Sequence, residues 1–128
     1  MDLYHLPQGC GTWPAWWFCG PDWPNQGEID VIEGVNQMTN DQTTLHTNNG
    51  CSMNGVGGFT GSWNYGSNGQ PATNCYVDAA GQYSNQGCSI LGTYGSYGVP
   101  FNNQNGGTYA LLWNQTEIAA WFFPRYSF

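Results

Sequence analysis

The sequence predicts an all-β domain, a sandwich or a barrel, from three observations. Aromatic residues fill 16% of its 128 positions, Gly and Pro number 19 and 7, and the apolar runs are short and bounded by turn residues. Aromatic and β-branched side chains suit a half-buried pleated surface, while Gly and Pro punctuate it. A chain of this length suits one domain, taken here as residues 1–128.

The elements follow in chain order. Residues 1–27 are rich in Trp and Pro; a short strand is expected at 15–18, then a rigid loop through Pro21-Asp22-Trp23-Pro24. Residues 28–34, Glu-Ile-Asp-Val-Ile-Glu-Gly, are β-branched and flanked by glycines, which makes them a strand. Residues 43–48 read as the next strand. From 49 to 107 the chain is dominated by Gly, Asn, Ser and Gln. That is too long for a plain loop in a compact domain, so short hidden strands and disulfide staples are expected there. Residues 109–113 and 118–123 form a hairpin across 114–117. No helix of useful length, heptad pattern or internal repeat is expected.

Charge excludes several functions. Charged residues make up 7% of the chain, against about 25% in ordinary globular domains. The net charge is −7, and Arg125 is the single basic side chain among Lys and Arg. Nucleic acid, anionic membrane and acidic polysaccharide are poor partners for such a chain. A neutral, hydroxyl-rich ligand is compatible. No apolar run is long enough to span a bilayer.

The five cysteines, Cys10, Cys19, Cys51, Cys75 and Cys88, contain no CxxC pair, so zinc or thioredoxin-like chemistry has little support. With little Lys and much Trp, they fit an oxidising extracellular setting. An odd number leaves at least one thiol unpaired within the chain. Two disulfides among five cysteines allow 15 arrangements, and the sequence does not choose between them. Asn114-Gln115-Thr116 is a glycosylation sequon.

The chemistry concentrates in one strand. Glu28, Asp30 and Glu33 are three of only eight acidic residues, and they lie in an otherwise apolar run where charge is costly to bury. Side chains alternate along a strand, so Glu28 and Asp30 share a face and Glu33 takes the other. A one-residue bulge between Asp30 and Glu33 would return Glu33 to the first face. Carboxylates so gathered repel one another, which raises at least one pKa. One ionised carboxylate beside one protonated acid is what glycoside hydrolysis requires. The same spacing fits a solvated acidic strand face or, less well, a calcium site, since calcium takes about six to eight oxygens.

Gly27-Glu28-Ile29-Asp30-Val31-Ile32-Glu33-Gly34 resembles the signature of glycoside hydrolase family 16 in its longer, bulged form, typical of laminarinase-like members; a form one residue shorter marks bacterial lichenases. Trp13-Pro14-Ala15-Trp16-Trp17, Trp23-Pro24, Gly34-Val35-Asn36, Leu45-His46-Thr47 and Trp121-Phe122-Phe123-Pro124-Arg125 resemble segments of the fungal members. The resemblance implies a concanavalin A-like jelly-roll β-sandwich, with the cleft across its concave face. It implies a secreted endo-β-1,3(4)-glucanase that acts on β-glucan as a monomer, with no cofactor and no metal.

By the same resemblance Glu28 matches the nucleophile, Glu33 the general acid and base, and Asp30 an assisting carboxylate. Trp16, Trp23, His46 and Trp113 match substrate-binding positions. The indoles could stack on sugar faces and His46 could bond the nucleophile or a sugar hydroxyl, although each fits core packing or a structural role as well. His5 has no such context. Relative to family catalytic domains the chain is short, so strands completing the sandwich are expected to be missing at both ends. Ala119-Ala120 stands where members commonly carry basic or polar residues. A β-glucan-binding protein or an inactive fragment on the same scaffold, and a transglycosylase, are the other readings; the presence of both Glu28 and Glu33 favours the enzyme over the binder.

Overall fold

The computed structural model describes residues 1–126 as two antiparallel sheets packed face to face. The strands are β1 (Asp2–Leu3), β2 (Ala15–Cys19), β3 (Glu28–Glu33), β4 (Gln42–His46), β5 (Ser62–Trp63), β6 (Cys88–Leu91), β7 (Gly107–Trp113) and β8 (Ile118–Pro124), with one helix, α1 (Gly98–Asn103). One sheet runs β2-β3-β4-β6-β5 and the other β1-β7-β8. The fold is the expected nearly all-β sandwich.

The core lies between the sheets. Ile32 of β3, Tyr109 of β7, Phe101 of α1, Tyr97 and Leu6 are buried together, with Trp16, Leu3, Met38 and Phe122 packed against them. Phe101, Tyr109 and Phe122 form a triangle of tilted rings with centroids 4.9 to 6.4 Å apart. Offset aromatic pairs of this kind add about 0.5–1.5 kcal/mol each beyond the area they bury.

Two of the hidden strands expected between 49 and 107 are β5 and β6, and β6 inserts beside β4. Cys75–Cys88 is the disulfide that staples this region to β6; Cys10, Cys19 and Cys51 are free and exposed. The six-residue helix α1 is an addition to the sequence reading. Its Gly-Val-Pro-Phe-Asn-Asn sequence has low helix propensity, and tertiary bonds fix it instead. Leu6 N–H donates to Asn102 Oδ1 at 2.8 Å, and Asn102 Nδ2 donates to Leu6 O at 3.0 Å.

Candidate active site

The bulge expected in β3 is present, and it falls at Val31. The β2–β3 register runs Cys19↔Glu28, Phe18↔Ile29, Trp17↔Asp30, and then steps to Trp16↔Ile32 and Ala15↔Glu33. Consecutive residues Trp16 and Trp17 thus face Ile32 and Asp30, and Val31 is the extra residue. An unpaired residue in one strand flips every side chain beyond it to the other face. Glu33 thereby joins Glu28 and Asp30, and the three line one cleft of about 370 Å³ with Trp13, Ala15 and Trp17.

Each glutamate is held by an indole. Trp13 Nε1 donates to Glu33 Oε1 at 2.9 Å, and Trp23 Nε1 donates to Glu28 Oε2. Trp23 sits in the loop joining β2 to β3, which is closed by Gly20 N–H donating to Gly27 O at 3.0 Å. Asp30 lies deeper, 1% exposed, and His46 Nε2 approaches its Oδ2 at 3.3 Å. His46 arrives there because β4 pairs Glu28↔His46 and Asp30↔Thr44.

Burial, then the charge of Asp30, raises the pKa of Glu28, with the Trp23 bond acting in the opposite direction. Glu33 is also raised, by burial first and Asp30 second, against the pull of Trp13. For His46, burial disfavours the charged form. The hydrogen bond and charge of Asp30, with Glu28 and Glu33 behind it, outweigh burial and raise the pKa. The site therefore holds two carboxyls raised from their ordinary value and an imidazole disposed to be cationic.

Glu28, Asp30 and His46 each bring one ligand atom to within 4.8 Å of the others, the one such group among the described residues. Two carboxylates and an imidazole fall short of a calcium shell, and the imidazole is already turned to Asp30.

The aromatics expected at the cleft divide. Trp23 is there. Trp16 is on the opposite face of β2, packed against the core and edge-on to Phe18 at 5.8 Å. Its neighbour Trp17, half exposed, takes the cleft position. Trp113 does not line the carboxylate cleft, although the pocket it does line also includes Glu28. It lines a second, apolar pocket of about 470 Å³ with Phe18, Ile29, Leu45 and Ile118, its ring 6.3 Å from Phe18. Sequence reasoning assigned no role to Trp13, Trp17 or Asp41. The last accepts the Glu33 backbone N–H at 2.8 Å.

A family model described as the XgeA-like catalytic domain of glycoside hydrolase family 16 matches residues 1–128. The chain belongs to glycoside hydrolase family 16. A probable glycosidase of Schizosaccharomyces pombe is 49% identical over 127 residues, 98% of this chain and 28% of that protein. An endo-1,3(4)-beta-glucanase of Arthroderma benhamiae is 48% identical over 97% of this chain and 26% of its own length.

Among solved structures, Laminarinase 16A of Phanerochaete chrysosporium, with beta-glucans in both donor and acceptor sites, is 43% identical with a TM-score of 0.83. The match covers 98% of this chain and 39% of that one. An elongating family 16 beta-1,3-glucosyltransferase is 42% identical with a TM-score of 0.81, over 97% and 38% of the two chains. The fold is accordingly the jelly roll of the family 16 laminarinases. The chain spans little more than a quarter of the length of these two curated relatives.

Proposed function

We propose that this protein is a retaining endo-glycosidase that hydrolyses β-1,3 or mixed β-1,3/1,4 glucan. The observation that carries the reading is the cleft in which the Val31 bulge gathers Glu28, Asp30 and Glu33, with an indole donor on each glutamate. Family membership and relatives named as endo-1,3(4)-beta-glucanases support it.

In this mechanism Glu33 is protonated and gives its proton to the leaving glycosidic oxygen. Glu28, ionised, attacks the anomeric carbon and forms the glycosyl-enzyme. Glu33, now ionised, takes a proton from water, which displaces Glu28 and regenerates both groups. Asp30 lies next to Glu28, where its charge and hydrogen bond modulate the nucleophile's ionisation. Trp17 and Trp23 offer flat apolar faces to sugar rings at the cleft mouth. None of these steps requires a metal. The exposed Asn114 sequon and the disulfide support a secreted protein, and no helix among the described residues is long and apolar enough to cross a membrane.

A second reading, transfer to a sugar hydroxyl in place of water, is favoured by the likeness to a beta-1,3-glucosyltransferase. It uses the same residues.

The test is reducing-sugar release from laminarin and mixed-linkage β-glucan, with Glu28→Gln in parallel. Hydrolysis that vanishes in the variant supports the reading. Longer oligosaccharides from a short donor would favour transfer. Binding without release would leave a glucan-binding protein.

A further inference from the structure

Past Asp30, strand β3 leaves the β4 ladder. The β3–β4 register contains only Glu28↔His46, Ile29↔Leu45 and Asp30↔Thr44, whereas the β2 side continues to Glu33. The bulge that turns Glu33 into the cleft therefore removes β4 backbone partners from the Val31 carbonyl and the Glu33 amide. Val31 and Ile32 are 0% and 1% exposed, so backbone groups left without partners here would be costly.

Two side chains of the neighbouring segment replace the missing ladder. Thr43 Oγ1 donates to Val31 O at 3.2 Å, and Glu33 N–H donates to Asp41 Oδ1 at 2.8 Å. Thr43 Oγ1 also lies 3.5 Å from Asp41 Oδ2, so the two replacements touch. Asp41 is anchored in turn: its N–H donates to Ser96 Oγ at 2.8 Å, its carbonyl accepts Gly92 N–H at 2.7 Å, and Ser96 Oγ donates to Thr93 O at 2.7 Å.

We propose that Asp41 and Thr43 are positioning residues that clamp β3 at its bulge and so hold Glu33 at the angle its proton transfer needs. This rests on the reading of Glu33 as the general acid. Neither residue touches the cleft; both act through the β3 backbone.

Burial and bonding pull the Asp41 carboxyl in opposite directions. Asp41 is 4% exposed, and the one Lys or Arg of the chain, Arg125, is paired with Asp2. Three donors meet the carboxyl, the backbone N–H groups of Glu33 and Gln42 and the Thr43 hydroxyl, and each favours the charged form. Burial outweighs these donors and pushes the Asp41 carboxyl up to about 8. Asn keeps the Oδ1 acceptor that the Glu33 N–H needs and carries no charge to bury, so Asn can stand in for Asp41 and Ala cannot.

The experiment compares kcat/KM on laminarin with kcat/KM on 2,4-dinitrophenyl β-laminaribioside, whose leaving group departs without protonation. Glu33→Gln is the control: it should abolish laminarin cleavage and spare the aryl glycoside. Asp41→Ala should lose about tenfold or more on laminarin and stay within about threefold on the aryl glycoside. Asp41→Asn should restore laminarin cleavage to within about threefold of the wild type. Thr43→Val, the milder lesion, should show the Asp41→Ala pattern at smaller amplitude, and it decides the matter if Asp41→Ala does not fold.

Equal losses on both substrates in a folded Asp41→Ala or Thr43→Val protein would overturn the proposal, as would a Thr43→Val protein unaffected on either. A Glu33→Gln control that still cleaves laminarin would overturn the acid assignment itself, and the clamp with it.

Discussion

Trp13 Nε1 is bonded to Glu33 Oε1, so an exposed indole on the rim is tied to a half-buried carboxyl at the cleft floor. A donor to an ionised carboxylate favours the ionised form. The bond therefore restrains the rise in the Glu33 pKa that burial and Asp30 impose.

In Trp13→Phe the ring remains and the donor is lost, so the pKa of Glu33 should rise further. The alkaline limb of the kcat/KM profile, which reports the acid, should move upward by as much as about one pH unit. A limb that stays in place, or moves down, would show that the indole does not govern this proton.

The two glutamates should be separable by azide rescue. In Glu28→Ala, azide fills the space of the nucleophile and should give a glycosyl azide of inverted configuration. In Glu33→Ala, azide intercepts the glycosyl-enzyme and should give the retained configuration. NMR of the products decides. The same configuration from both variants would contradict the assignment of roles.

Gly34 closes the acidic strand against Tyr97. A Cβ at Gly34 would lie 2.6 Å from the Tyr97 ring, which is 1% exposed and whose hydroxyl lies 2.9 Å from both Gly34 O and Pro14 O. The ring has nowhere to move. Gly34→Ala should destabilise the protein by about 1–3 kcal/mol in denaturant melts, and wild-type stability in this variant would count against the packing described.

Stability should also fall with pH through Asp41. Its folded pKa, about 8, stands above the ordinary value of 3.8. The folded state then holds a proton that the unfolded state has released, so stability declines as pH rises between these values. Glu33, Tyr97 and Tyr109 are the titratable groups facing it, and their charged forms would add to the penalty. The melting temperature should drop from pH 5 to pH 8, and the drop should be shallower in Asp41→Asn. Parallel curves for the two proteins would refute this.

Loss of the Cys75–Cys88 link, in the double Cys→Ala protein, should cost about 3 kcal/mol from loop-closure entropy alone, given a sequence separation of 13. Urea titration measures it.

The acidic triad was legible in the sequence because charges stand out in an apolar strand, and the bulge followed from asking how Glu33 could rejoin Glu28. The indoles were harder. In a tandem Trp16-Trp17 pair one ring must face the core and one the cleft. Which one depends on the register with β3, and the bulge shifts that register by one. Asp41 was hidden for another reason. It lies in a polar Thr-Asn-Asp-Gln stretch that reads as an ordinary turn, and nothing local says that its carboxyl is buried. Strand β6 and helix α1 are too short and too weakly patterned to stand out within a Gly- and Asn-rich stretch.

Strand geometry counts in twos: residues an even number of steps apart look the same way. Glu28 and Glu33 are an odd number apart, and Val31 makes the sum even again. Removing Val31 would therefore keep both carboxyls on one side and make the strand regular, with four steps of β3 against the four from Cys19 to Ala15 on β2. Thr43 would lose the carbonyl it serves, and the amide of Glu33 would come back into step with a continuing β4. The shorter acidic signature and the longer one are thus two solutions to one parity problem, and this chain is built around the longer.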